Sequence, residues 1–70
     1  MRYNVQKLIR ARRLKGWTRA RLAAEIGRSE NLIYKIEKGT RAGEATIFKI
    51  AEALEVPMKS ILLRDEGNAA

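Results

Sequence analysis

Cysteine and histidine are both absent from this sequence of 70 residues. Without cysteine there is no disulfide bond, and without either residue there is no ordinary zinc site. Aspartate occurs once, at Asp65, and the glutamates are scattered singly along the chain. Acid–base and nucleophilic catalysis need a positioned histidine, cysteine or pair of carboxylates. The sequence therefore predicts no enzyme activity, no metal site and no cofactor.

Long apolar runs are also missing. No segment approaches the roughly 20 apolar residues that cross a bilayer as a helix, and the N-terminus lacks the apolar core of a signal peptide. A basic helix lying on a membrane surface is disfavoured, because the basic residues are spread over several predicted helices. We therefore expect a cytoplasmic protein without a membrane partner.

Positive charge is what the chain has in excess, with a formal net charge of +7. Residues 1–41 hold 12 lysines and arginines against 3 glutamates, whereas residues 42–70 hold 3 against 5 acidic residues. A basic surface that serves solubility alone would not need its charge concentrated in one half of the chain. The distribution therefore indicates a polyanionic partner, and nucleic acid is the leading candidate.

Apolar spacing and capping residues predict a compact all-α domain of five helices. The predicted helices cover residues 5–15, 19–26, 30–38, 44–54 and 58–63. Asn4, Thr18 and Ser29 are the expected N-caps, and Gly16, Gly27 and Gly39 the expected C-terminal stops. One domain is expected over residues 1–64, followed by a disordered tail at residues 65–70.

Residues 18–39 form the most informative stretch. Two short predicted helices are joined there by a turn that contains a glycine, which is the pattern of a helix-turn-helix unit. Its inward positions are apolar and are occupied by Leu22, Ala23, Ile26, Ile33 and Ile36. Its second helix therefore projects a polar and basic face of a size that fits the major groove of DNA.

The chain resembles the phage-repressor and Cro type of helix-turn-helix protein, also called the Xre family. The residues that carry the resemblance are Leu8, Arg12, Gly16, Thr18, Leu22, Ala23, Ile26, Gly27, Ser29, Ile33, Ile36, Glu37, Gly39, Ile50, Ala51, Ala53, Leu54 and Val56. The resemblance implies a five-helix domain that reads double-stranded DNA, commonly as a dimer, and regulates transcription.

The resemblance also implies roles for individual residues. The family's base-reading positions are occupied by Glu30, Asn31 and Lys35, with Ser29 and Tyr34 beside them. Phosphate contacts are implied for Arg19, Lys38, Thr40 and Arg41, and less directly for Arg10 and Arg13. Plainer interpretations stay open: the cations as ordinary surface charges, Tyr34 as a cover for an apolar edge, and Glu30 as a favourable charge at a helix N-terminus.

Arg12 falls on the inward stripe of the first predicted helix, beside Val5, Leu8 and Ile9. Glu37 falls on the inward stripe of the third predicted helix. Either charge alone would be costly to bury, so the two residues are predicted to form a partly buried ion pair. The family has such a pair at these positions. Its expected role is to hold the recognition helix in place and not to read DNA.

Three departures from the family pattern carry expectations. Glu55 stands where a glycine is usual, which predicts a tighter or differently capped end of the fourth helix. Gly43 replaces a capping serine. Leu32 stands where a small polar residue is common, and it is expected either to be exposed or to form a contact of its own.

The last predicted helix ends in a cluster of aliphatic residues. A dimer surface is predicted at Ile61, Leu62 and Leu63, and the alternative is that these side chains close the core of the monomer. The leading hypothesis is a repressor that binds a palindromic operator as a homodimer. The alternative is a protein-interaction module, such as an antitoxin or a bridging factor, that binds a protein partner as well as or instead of DNA.

Overall fold

Within the described part of the chain, the fold consists of five helices, as the sequence predicts. The computed structural model describes residues 3–62. The helices are α1 (Val5–Leu14), α2 (Arg19–Ile26), α3 (Glu30–Glu37), α4 (Glu44–Leu54) and α5 (Met58–Ile61). The predicted all-α class is thereby confirmed. α5 ends at Ile61, two residues before its predicted end. Leu63 and the predicted tail at residues 65–70 lie outside the described residues.

Side chains cap the first three helices at their N-termini. The side chains of Asn4, Thr18 and Ser29 accept hydrogen bonds from backbone N–H groups in the first turns of α1, α2 and α3. These bonds satisfy amides that have no partner inside the helix. Gly43 and Pro57, which precede α4 and α5, provide no side-chain hydrogen bond.

The first four helices share one type of C-terminal ending. A residue with positive φ follows each helix, and the next residue donates its N–H to a carbonyl five residues earlier. Gly16, Gly27 and Gly39 take this position after the first three helices, and Glu55 takes it after α4 with a φ of 61°. The expected tighter or different cap at Glu55 is therefore wrong. A glutamate adopts the backbone conformation that favours glycine.

The core is a cluster of aliphatic side chains contributed by all five helices. Its buried members are Leu8, Leu22, Ala23, Ile26, Ile33, Ile36, Ile47, Ile50, Ala51, Leu54 and Ile61. α2 packs on α3 in the helix-turn-helix. α1 contacts α3, α4 contacts α2, and α1 and α4 also contact each other. The small side chain of Ala23, in the first helix of the unit, is buried in the core. The unit is therefore supported by the rest of the chain.

Packing corrects two expectations about apolar residues and decides between the two that were open for Leu32. Ile61 is only 1% exposed, so it belongs to the core of the monomer and is not available to a dimer surface. Val5 and Ile9 are half-buried and do not join the core cluster, although their spacing predicts them on its stripe. Leu32 is partly buried and packs against the core. Between residues 3 and 62, no helix combines the length and the apolar character that crossing a membrane requires.

Candidate nucleic-acid interface

The exposed face of α3 is the centre of the candidate interface. Its inner face is anchored by Ile33 and Ile36, each 1% exposed. The polar outer face carries Glu30, Asn31, Tyr34, Lys35 and Lys38, all exposed. Within residues 3–62, the side chains of Glu30, Asn31 and Lys35 make no hydrogen bond or ion pair, so their polar groups are available to a ligand. The hydroxyl of Ser29 is already used as the N-cap and accepts from the N–H of Leu32 at 3.2 Å.

Arg19 lies at the start of α2 and faces the outer surface of α3. Its Nε donates to Oε1 of Glu37 at 2.8 Å, and its guanidinium carbon lies 5.3 Å from the centre of the Tyr34 ring. Together with Tyr34, Glu30 and Asn31, it lines one open depression between the two helices. The structure therefore brings a predicted phosphate contact together with three predicted base-reading positions.

Tyr34 is bordered by two cations. Besides Arg19, the Nζ of Lys38 lies 5.6 Å from the centre of its ring. Cations attracted to an aromatic face are held more firmly than cations on free side chains. The ring therefore positions two predicted phosphate contacts, while its own side chain remains 44% exposed on the outer face.

Glu37 is the acceptor for two arginines. Arg12 donates from Nε to Oε2 at 2.7 Å and from Nη2 to Oε1 at 3.3 Å, and its Nη1 donates to the carbonyl of Trp17 at 2.7 Å. Arg12 is 7% exposed, so the pair is largely removed from water. The three bonds join α1, the loop before α2 and α3, and they are directional in a way that aliphatic packing is not.

The ionisation of Glu37 reflects this arrangement. Burial acts to raise the pKa of its carboxyl group, but the hydrogen bonds and positive charges of Arg12 and Arg19 outweigh burial, and the pKa is lowered. The hydrogen bond from the same carboxylate raises the pKa of Arg19. Glu37 and Arg19 are therefore both charged at neutral pH.

Sequence reasoning missed the contact between Arg19 and Glu37. Helical periodicity places Glu37 on the inward stripe and Arg19 at the outer start of α2, and it says nothing about how close the two helix ends lie. One signal for this contact was present in the sequence. Arg19 stands at a position where the family that the chain resembles usually has a glutamine. A cation there can reach the same carboxylate that Arg12 binds.

The loop after α3 and the outer face of α1 hold the remaining predicted phosphate contacts. Thr40 and Arg41 are exposed, and the loop that contains them follows α3 directly. Arg10 and Arg13 lie apart from this group on the outer face of α1, where they share a shallow depression with Leu14. The structure thus groups Arg19, Lys38, Thr40 and Arg41 near α3 and does not bring Arg10 and Arg13 into contact with them.

A helix-turn-helix family model matches residues 8–61, which is most of the chain. The chain belongs to this helix-turn-helix family. It is a domain of the phage-repressor and Cro type, a family of DNA-binding transcription regulators, and the predicted resemblance is confirmed. Searches of curated proteins and of solved structures gave no significant match. In a helix-turn-helix unit, the second helix is called the recognition helix, and in this chain the second helix of the unit is α3.

Proposed function

We propose that this helix-turn-helix protein represses transcription by binding a palindromic operator in double-stranded DNA as a homodimer. The observation that carries the proposal is the contrast between the two faces of α3. Its inner face is anchored by Ile33, Ile36 and Glu37, and its outer face presents unpaired polar side chains. A helix held this firmly can enter a major groove without losing its own order.

The proposed base contacts follow from side-chain chemistry. Asn31 suits the paired donor and acceptor of adenine, Lys35 the acceptors of guanine, and Glu30 the amino group of cytosine. Near DNA, Glu30 would be repelled by phosphate, but Arg19 lines the same depression and offsets its charge. Ser29 and Tyr34 border these three positions. Ser29 contributes mainly by capping α3, and Tyr34 by holding its neighbouring cations.

The proposed phosphate contacts surround the recognition helix. Arg19 and Lys38 lie against Tyr34, and Thr40 and Arg41 follow in the next loop. Arg10 and Arg13 on the outer face of α1 are peripheral contacts. The phosphate backbone is the same whatever the base sequence of the DNA. Contacts to it therefore supply affinity and register, while the α3 side chains supply specificity.

Dimerisation supplies the remaining specificity. Two recognition helices about 34 Å apart would enter successive major grooves on one side of the duplex. Of the three residues predicted for the dimer surface, Leu62 is the one that is both described and exposed. Leu63 stays a prediction outside the described residues.

Selection of bound sequences from random duplex DNA tests the proposal. A palindromic consensus is expected, because a two-fold symmetric dimer reads the same half-site twice. Enrichment of no sequence would contradict specific DNA recognition, and enrichment of a single, non-repeated half-site would contradict the dimer.

Two substitutions then separate readout from phosphate binding. Lys35→Ala is expected to relax preference at one base pair in each half-site. Arg41→Ala should instead weaken all sequences about equally and reduce the salt slope by about one. Arg41 is a cleaner phosphate control than Arg19, because Arg19→Ala would also remove a hydrogen bond from Glu37.

A protein-interaction module is the second candidate function. The outer face of α1 carries Leu14, which is 81% exposed, beside the cations Arg10 and Arg13. An exposed leucine among cations suits an acidic, partly apolar protein segment better than it suits DNA. Affinity for duplex DNA that falls steeply with salt would favour the first function. If the protein binds no duplex DNA, the result would favour the protein-interaction module.

A further inference from the structure

Tyr3 precedes α1 and reaches the loop that follows the recognition helix. Its hydroxyl donates to the carbonyl of Thr40 at 3.2 Å and accepts from the N–H of Ala42 at 3.1 Å. One hydroxyl carries one proton and can accept as well, so both bonds form at the same time. The two backbone groups lie on either side of Arg41. A single side chain therefore spans the residue that is proposed to contact phosphate.

The loop has few other attachments. Thr40 donates its N–H back to Lys35 in α3, and Gly43 accepts from Ile47 in α4. Within residues 3–62, the two bonds to Tyr3 are the hydrogen bonds that tie residues 40–43 to anything other than these flanking helices. Gly43 also lacks a side chain that could order the start of α4. Without the hydroxyl, the loop around Arg41 would keep its flanking helices and the packing of Ala42 on the core, but it would lose the hydrogen bonds that fix its backbone directly on both sides of Arg41.

Tyr3 is itself anchored, which makes it a firm clamp. It forms an isolated antiparallel bridge with Leu62, and the next residue, Asn4, donates its N–H to the carbonyl of Ile61 at 2.6 Å. Its ring is partly buried against the core. The position of the hydroxyl is therefore set by the body of the domain and not by the loop.

We propose that Tyr3 is a positioning residue for DNA binding: its hydroxyl clamps the backbone on both sides of Arg41 and so directs that guanidinium to a phosphate. The proposal rests on the proposed function, because it acts through a contact between Arg41 and DNA. Tyr3 does not touch the DNA itself. Its effect on affinity must therefore disappear when Arg41 is removed.

A double-mutant cycle tests this proposal with Tyr3→Phe and Arg41→Ala. Both variants are compared with the unchanged protein for binding to a random-sequence duplex over a range of salt concentrations. Tyr3→Phe removes the hydroxyl and keeps the ring, and it is expected to lower affinity about three- to tenfold with a shallower salt slope. The double variant is expected to bind like Arg41→Ala alone.

Asn4→Ala is the matched control. It removes the side-chain cap of α1 next to Tyr3, changes no charge and leaves the loop untouched. When binding is measured at a temperature where circular dichroism shows all variants folded, this control should keep the salt slope of the unchanged protein. An equal loss of affinity in Asn4→Ala and Tyr3→Phe would show general destabilisation and overturn the clamp.

The remaining outcomes separate the two proposals. If the losses from Tyr3→Phe and Arg41→Ala multiply, Tyr3 acts independently of Arg41 and the clamp is wrong. If Arg41→Ala leaves affinity and salt slope unchanged while the protein still binds duplex DNA, the clamp fails and DNA recognition stands. If the unchanged protein binds no duplex at all, the proposed function fails as well.

Discussion

The recognition helix α3 and the supporting helix α4 are held by different means. α3 begins at a serine cap, ends at Gly39 and is tied to α1 and α2 through the carboxylate of Glu37. α4 begins at Gly43 without a side-chain cap and ends at Glu55, a non-glycine residue with positive φ. Both helices bury aliphatic side chains almost completely.

The difference shows which property each helix needs. Aliphatic burial stabilises a helix without fixing its rotation closely, since the hydrophobic effect has no direction. Hydrogen bonds to a carboxylate do have direction. α4 therefore tolerates weak helix ends because burial is sufficient to keep it folded, whereas α3 has directional contacts that set its orientation for a ligand. Four substitutions test this contrast.

Ile47→Ala should have the largest effect. Ile47 is fully buried in α4, and truncation would leave a cavity in the core. We expect a loss of about 3 to 4 kcal/mol in the free energy of unfolding, measured with urea. Phe48→Ala, at the next position, is the control, because Phe48 is exposed and should change stability by less than about 0.5 kcal/mol. Similar losses for the two would contradict the burial of α4.

Glu37→Gln tests the directional contacts of α3. The variant would leave Arg12 buried without a negative partner, and we expect a loss of about 3 kcal/mol together with weaker DNA binding. Glu25→Gln is the control, because the pair of Glu25 with Arg21 is exposed and should contribute under about 0.5 kcal/mol. An unchanged melting temperature in Glu37→Gln would refute the role of the pair.

The pH dependence of stability provides a second measurement on the same variant. Because the pKa of Glu37 is lowered in the folded protein, its contribution is complete above the ordinary glutamate pKa of about 4.3. It is lost as pH falls through the lower, folded-state pKa. The difference in unfolding free energy between the unchanged protein and Glu37→Gln should therefore shrink on acidification. A constant difference down to acid pH would contradict the ion pair.

Glu55→Gly should stabilise the protein by about 1 kcal/mol, because glycine adopts positive φ without a steric penalty. The substitution also removes an exposed ion pair between Lys15 and Glu55, whose nitrogen and oxygen lie 3.4 Å apart and which contributes little. Glu55→Ala loses the same pair but keeps the unfavourable φ, so it should not stabilise. A rise in melting temperature for both variants would show that charge and not backbone conformation is responsible.

Gly43→Ser should have the smallest effect, a gain of a few tenths of a kcal/mol from a new N-cap on α4. A serine fits here because Gly43 has a φ of −70° and no atom lies close to the position of an added Cβ. The matched change at α3 is Ser29→Gly, which should lose a similar amount. A much larger loss at Ser29 than the gain at Gly43 would mean that the α3 cap also orders the turn.

Local signals predicted the helices well. Asn4, Thr18 and Ser29 mark helix starts, and the glycines mark helix ends, because capping depends on neighbouring residues alone. Prediction failed where the outcome depends on distant packing. Val5 and Ile9 have the correct spacing for a core stripe but lie at its edge. The base and phosphate contacts proposed for the interface stay predictions that the DNA experiments above test.

The sequence by itself determined the helices, the helix-turn-helix pattern and the concentration of positive charge in the first part of the chain, because periodicity, capping and charge can be read over a few neighbouring residues. Tertiary structure alone decided that Ile61 closes the core, that Arg19 shares the carboxylate of Glu37, and that Tyr3 reaches the loop around Arg41. Each of these facts joins residues far apart in the chain, and their distance is set only when the helices pack.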